Sequence, residues 1–306
     1  MIWTLPLMVH IVPIDDPADE RVADYVGLTD AELRRRVEAP GPATSRSAHA
    51  GIFIAEGLHV IGRLLRSPYR VRSFLVIPRR LDALAGILAG AGAGAGDGAG
   101  DEPAPVFVAA PEVMNAIVGF DFHRGALASA ARRPLPGPGA LLAQTARVCV
   151  LEGIADHENL GAIFRNAAAL GVGGLLLAPG CCDPLYRRAV RVSMGHVLGV
   201  PYASLEPWPE ALKQLADAGF RVVALTPDSS AKPIGGLGLR SIDRVALLLG
   251  AEDRGLSEAA SAAADVRARI PMAAGVDSLN VASAAAIGFY ASRETGDARE
   301  PHHAPR

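Results

Sequence analysis

Lysine is almost missing from this 306-residue chain, which holds only Lys213 and Lys232. Neither completes a Gly-x-x-x-x-Gly-Lys-Ser/Thr run, so a phosphate-binding loop is excluded. The Gly/Ala/Asp tract at 90–102 holds no Gly-x-Gly-x-x-Gly, which excludes a dinucleotide fingerprint there. Its composition predicts a mobile loop. Cysteine is scarce too, with only Cys149, Cys181 and Cys182. The count is odd, adjacent cysteines seldom bridge, and there is no Cys-x-x-Cys to hold zinc, so no metal is expected. Reduced thiols in the cytoplasm are the expectation, with a redox role for Cys181-Cys182 as the minor alternative. No apolar run approaches the roughly 20 residues that a membrane span requires. The apolar stretch 1–14 lacks a basic leader and a small-residue cleavage site, and Asp15 and Asp16 follow it at once, so it does not read as a signal peptide. Met8 is an alternative start.

Half of the residues are hydrophobic, enough for two domains with sizeable cores. The formal net charge is only −2, but it is segregated. Between Arg46 and Arg80 stand seven arginines (46, 63, 66, 70, 72, 79 and 80) against one acid, Glu56, a local excess of six. Residues 15–38 carry eight acids against four arginines. Segregated charge of this kind suits contact with phosphate, and a solvated helix face is the competing explanation.

The chain reads as alternating strands and helices. In the first half, strands are expected at 51–55, 71–77 and 106–109, and helices at 58–66, 79–88 and 111–118. A capped helix start is expected at 28–33 and a linker at 40–47. This is the pattern of a small α/β domain. The run Pro134-Leu-Pro-Gly-Pro-Gly139 reads as the boundary between domains. In the second half, strands are expected at 148–153, 174–178, 221–225, 245–249 and 267–270. Helices are expected at 160–170, 184–194, 208–218, 257–263 and 279–292. The pattern suggests an open parallel sheet covered on both faces.

Three segments break this regular pattern. One is Asn159-x-Gly161-x-x-x-Arg165, where Asn159 reads as a helix cap and Arg165 sits among apolar neighbours. The second is Leu249-Gly250-x-Glu252-x-x-Gly255-Leu256-Ser257, a buried strand ending in a glycine and an acidic turn. The third is Ile270-Pro271-Met272, a glycine turn, then Ser278-Leu279-Asn280-Val281 at the mouth of an apolar helix. A decorated N-cap accounts for Ser278 or Asn280, but not for both together with the preceding proline and glycine.

In this order the three segments resemble the signature motifs of the SpoU/TrmH family of SPOUT RNA methyltransferases, over about residues 146–295. The upstream part resembles the small L30e-like RNA-binding domain of rRNA 2′-O-methyltransferases. That likeness rests on Phe53-Ile54-Ala55-Glu56-Gly57 and on Gly119-Phe120-x-x-His123-Arg124-Gly125. The resemblance implies an N-terminal extension at 1–45, an L30e-like domain at 46–133, a linker at 134–145, a trefoil-knotted methyltransferase domain at 146–295 and a disordered tail at 296–306. It implies S-adenosylmethionine as methyl donor, held at Gly250, Ile270 and Leu279, and a ribose 2′-hydroxyl as acceptor. Arg165 then takes the family's catalytic place, as general base or as a clamp for phosphate and developing alkoxide. A free guanidinium normally stays charged, which makes the base role awkward. Asn159, Glu252, Ser278 and Asn280 would orient it, with Glu252 pairing to Arg165. RNA contacts are expected from Arg46, Arg63, Arg66, Arg70, Arg72 and Arg124, with a weaker signal at Arg187-Arg188. The resemblance further implies rRNA in preference to tRNA, and a homodimer through the C-terminal domain, where Ala284, Ala285, Ile287 and Phe289 make helix 279–292 too apolar to face water. A catalytically silent RNA-binding protein on the same fold is the alternative.

Overall fold

Short apolar runs bounded by Gly, Pro and Asp build two compact units in the computed structural model, which describes residues 10–29, 51–91 and 103–293. One unit is Met1–Pro134 with Asp183–Gly199; the other is Leu135–Cys182 with Val200–Arg306. The strands are Ile11–Ile14 (β1), Ile52–Glu56 (β2), Val71–Val76 (β3), Val106–Ala109 (β4), Ala126–Ala131 (β5), Arg147–Leu151 (β6), Gly174–Leu177 (β7), Tyr202–Ser204 (β8), Arg221–Leu225 (β9), Lys232–Pro233 (β10), Val245–Leu249 (β11) and Val266–Arg269 (β12). The α-helices are Leu58–Leu64 (α1), Leu81–Ala91 (α2), Pro111–Val118 (α3), Pro138–Ala143 (α4), His157–Leu170 (α5), Arg187–Val192 (α6), Lys213–Asp217 (α7), Glu258–Ala262 (α8) and Val281–Ser292 (α9). Arg46, Met8, the linker at 40–47, residues 92–102, the tail at 296–306 and the expected helix start from Asp30 onward lie outside the described residues.

The first unit is a mixed sheet in the order β1-β4-β3-β5-β2. β4 runs parallel to β1 and β3, while β5 is antiparallel to β2 and β3. Two strands escaped the sequence reading. β1 is short and carries Pro13, which is tolerated because β1 lies on a sheet edge. β5 reads Ala-Leu-Ala-Ser-Ala-Ala, poor in the β-branched and aromatic residues that mark strands, yet it lies between β3 and β2. The stretch expected to be an extension is therefore corrected in part. β1 extends the sheet, and Val22, Tyr25 and Leu28 are fully buried in this unit's core. The Tyr25 hydroxyl lies 2.8 Å from Ser73 Oγ and accepts from the Ser129 amide at 3.2 Å. Segment 183–199, expected within the second domain, also belongs to the first unit.

The second unit is an all-parallel sheet in the order β10-β12-β9-β11-β6-β7-β8. The central strands β6 and β11 are buried at every residue, as a sheet covered on both faces requires. The α/β class with a parallel second sheet is the expected one. Because the strands are parallel, their carboxyl ends share one edge. The loops after β9, β11 and β12 all emerge there, the usual place for a ligand crevice in such a sheet.

Candidate functional site

A cleft of about 840 Å³ lies at this carboxyl edge, lined by the residues that follow β9, β11 and β12 and by the start of α9. Gly250, Ile270 and Leu279 all line it, together with Leu249, Met272 and Ser278. The loop after β11 is tight. The Gly255 amide donates to the Ala251 carbonyl at 2.8 Å, and Gly255 has φ +67. A Cβ placed on Gly250 would overlap the backbone of Gly255 and Leu256, so only glycine fits there. Leu279 is 38% exposed, an apolar surface open to a ligand rather than packed in the core.

Asn280 joins the three motif segments. It is the N-cap of α9, its Oδ1 accepting from the amides of Ala282 at 2.9 Å and Ser283 at 3.3 Å. Its Nδ2 donates to Asn159 Oδ1 at 2.9 Å and to Glu252 Oε1 at 2.8 Å. The cap and the tie between loops are thus the two ends of one amide. Ser278 lines the cleft but makes no side-chain hydrogen bond among the described residues.

Two expectations about the first motif are corrected. Asn159 is not the cap of α5. Asp156 is, accepting from the Glu158 and Asn159 amides at 2.8 Å each, and this frees the Asn159 side chain for Asn280. Glu252 pairs with Asn280 and not with Arg165. Arg165 is exposed and makes no hydrogen bond or ion pair among the described residues. The helical repeat explains this. Asn159 and Asn166, seven residues apart, share the face toward α9, where Asn166 Nδ2 donates to the Ala282 carbonyl at 2.9 Å. Arg165 is turned roughly 100° from Asn166, off that face.

Sequence reasoning passed over two anchors. Glu152, just after β6, accepts from Trp208 Nε1 at 2.6 Å and from the Ser257 amide at 2.8 Å, pinning the far end of the loop that carries Gly250 and Glu252. An acid directly after a buried strand was the available signal. Arg147, at the start of β6, is only 6% exposed and donates to four carbonyls, those of Ser292, Asp243, Ile242 and Ala146. An arginine opening an otherwise apolar strand was the signal there.

The expected RNA-contacting arginines divide. Arg66 and Arg70 are exposed. Three others are partly engaged inside the first unit: Arg63 donates to the Met194 carbonyl at 2.6 Å, Arg72 to Asp24 at 2.9 Å, and Arg124 pairs with Glu56 at 3.2 Å. The cysteines are free, and burial pushes the thiols of Cys149 and Cys181 up, which disfavours the reactive thiolate. No helix among the described residues is long and apolar enough to cross a membrane.

Comparison with known proteins agrees with the site. The SpoU rRNA methylase family model matches residues 146–290. An uncharacterized tRNA/rRNA methyltransferase of Mycobacterium tuberculosis is 45% identical over 282 residues, covering 92% of this chain and 91% of that protein. The 23S rRNA (adenosine(1067)-2′-O)-methyltransferase of Streptomyces azureus is 33% identical over 164 residues, 52% of this chain and 59% of that protein. In fold, the chain is similar to the AdoMet-bound rRNA methyltransferase of Sinorhizobium meliloti, with TM-score 0.71 and 23% identity over 92% of this chain and 97% of that one. Near-complete coverage by a 45% identical relative, with the three motifs drawn together by Asn280, makes the chain a member of the SpoU/TrmH family of RNA methyltransferases.

Proposed function

We propose that this protein methylates a ribose 2′-hydroxyl in RNA, with rRNA as the target class, using S-adenosylmethionine held in the cleft of the second unit. The observation that carries this reading is the Asn280 amide. It brings the Asn159, Glu252 and Asn280 segments together beside the cleft that Gly250, Ile270 and Leu279 line. The cleft's volume falls in the usual small-molecule range of about 300–1,000 Å³. Gly250 keeps the loop backbone close, and Leu249, Ile270 and Leu279 supply an apolar wall. Bound there, the cofactor supplies an electrophilic methyl group on a sulfonium.

The chain's own residues do the positioning. Asn280 fixes the loops, and Glu152 anchors the one after β11. Arg165 is exposed and without an internal partner among the described residues, so its fork is available to an RNA phosphate and to a developing alkoxide. This supports the clamp role over the base role. The rRNA target draws on the Streptomyces azureus relative, whose own substrate is 23S rRNA. The first unit, with exposed Arg66 and Arg70, serves as the RNA-binding part in this reading, and a cytoplasmic location follows from the substrate. The trefoil knot expected of the family rests on the same fold likeness.

Mapping of 2′-O-methyl groups in RNA from cells with and without this protein tests the reading. One rRNA position should lose its methyl group when the protein is absent. A lost tRNA methyl group would replace the target, and loss of a base methyl would overturn the 2′-hydroxyl as acceptor.

We also propose a homodimer through the second unit. Phe289 and Ala285, expected to be available for pairing, are buried within the unit. The exposed apolar surface of α9 is instead Ile287, 39% exposed, and Tyr290, 56% exposed. Light scattering at micromolar concentration should give twice the chain mass; the monomer mass would count against the pairing.

A further inference from the structure

The first unit contains a buried carboxylate that gathers more positive charge than its burial requires. Glu56, at the end of β2, is 3% exposed. Its Oε2 lies 2.9 Å from Arg187 Nη1. Its Oε1 lies 3.2 Å from Arg124 Nε and 4.0 Å from Arg191 Nη1. Three cations on one anion leave an excess of two.

The three arginines differ in kind. The Arg187 side chain is 10% exposed, and its guanidinium lies 5.0 Å from the centre of the Phe120 ring. Neutralising a buried carboxylate is a sufficient role for it. Arg124 and Arg191 are 50% and 33% exposed, and exposed ion pairs add little stability. Arg124 meets Glu56 through Nε alone, so both its Nη groups remain. Because the two arginines share one carboxylate oxygen, their guanidiniums stay within the span of a single phosphodiester. They come from distant parts of the chain: Arg124 from the turn before β5, and Arg191 from α6, which the sequence places between β7 and β8.

We propose that Arg124 and Arg191, held in place by Glu56, form a phosphodiester clamp for the RNA substrate. The proposal rests on the reading of this chain as an RNA methyltransferase. Glu56 is a positioning residue, and the two half-exposed guanidiniums make the contact. A planar fork suits phosphate oxygens, and a fork already fixed by a carboxylate loses less freedom on binding.

The sign of one charge change tests this. Glu56→Gln makes the protein one unit more positive. A surface attracting RNA by net charge alone would then bind more tightly, whereas a clamp that depends on Glu56 binds several-fold more weakly. The probe is deproteinised rRNA from cells lacking this protein, measured by filter binding across a salt series. The double variant Arg124→Ala/Arg191→Ala should weaken binding by about ten-fold or more. It should also flatten the salt slope by about 1.4 to 1.8, at roughly 0.7–0.9 per lost phosphate contact. Calorimetric binding of S-adenosylmethionine should be unchanged. If Glu56→Gln fails to fold, judged by thermal melting, the double variant decides alone. A wild-type protein that neither binds this rRNA nor transfers methyl to it would overturn the enzyme reading and the clamp together. An active wild type whose double variant keeps its RNA affinity and salt slope would overturn the clamp only.

Discussion

Replacing Arg165 by alanine is expected to slow methyl transfer by roughly 10²–10³-fold or more, the range seen when a donor to a developing oxyanion is removed. Binding of S-adenosylmethionine should survive. Arg165 does not line the cleft and makes no bond among the described residues, so its loss disturbs neither the pocket nor the packing of α5. Arg165→Lys should also be severely impaired, because lysine keeps the charge but lacks the planar fork that spans a phosphate and a ribose oxygen. If Arg165 only clamps charge, the lysine variant should not recover at high pH; recovery would favour the base role. Single-turnover kinetics are needed, so that slow product release does not hide the chemical step. Near wild-type turnover by Arg165→Ala would remove the main reason for assigning the chemistry to this residue.

Arg147→Ala should produce the largest loss of stability, on the order of 3–5 kcal/mol, by leaving several buried carbonyls without a donor. Arg147 Nε donates to the Ser292 carbonyl at 2.6 Å, where the carbonyl ends of α9 carry partial negative charge. Its Nη1 and Nη2 reach the carbonyls of Asp243 and Ile242, both at 2.7 Å, just before β11. One side chain therefore fastens the last helix and a central strand to the start of β6. Arg147→Lys should restore only part of the stability, since three rotatable donors do not reproduce the fork. Urea unfolding measures the effect. A loss below about 1 kcal/mol would show that water satisfies these carbonyls as well as Arg147 does.

Much of the architecture was legible because it is written locally. The buried runs at Val245–Leu249 and Arg221–Leu225 stand where the apolar pattern put them. The glycine and proline signals around the second and third motifs mark the loops that line the cleft. Gly250, Ile270 and Leu279 were readable together because each directly follows a strand or precedes a helix, and parallel strands deliver such positions to one edge. Where local signals were weak, the reading failed. β5 is made of small residues whose strand conformation comes from its neighbours on both sides.

What the chain's sequence determined by itself was the alternation of elements, the class of chemistry and the residues that could carry it, since these depend on residue type and near spacing. Only the tertiary structure decided which of those residues meet. Asn280 lies 121 positions from Asn159 and 28 from Glu252, yet one amide bonds both. The expected pair of Glu252 with Arg165 is replaced by this contact because the turn of α5 sends Asn159 and Asn166 toward α9 and Arg165 away from it. Arg63, Arg72 and Arg124 looked alike in sequence, and all three have partners inside the first unit. Charge is a property of the residue, but whether it stays available to a ligand depends on which acids and carbonyls the packed chain places beside it.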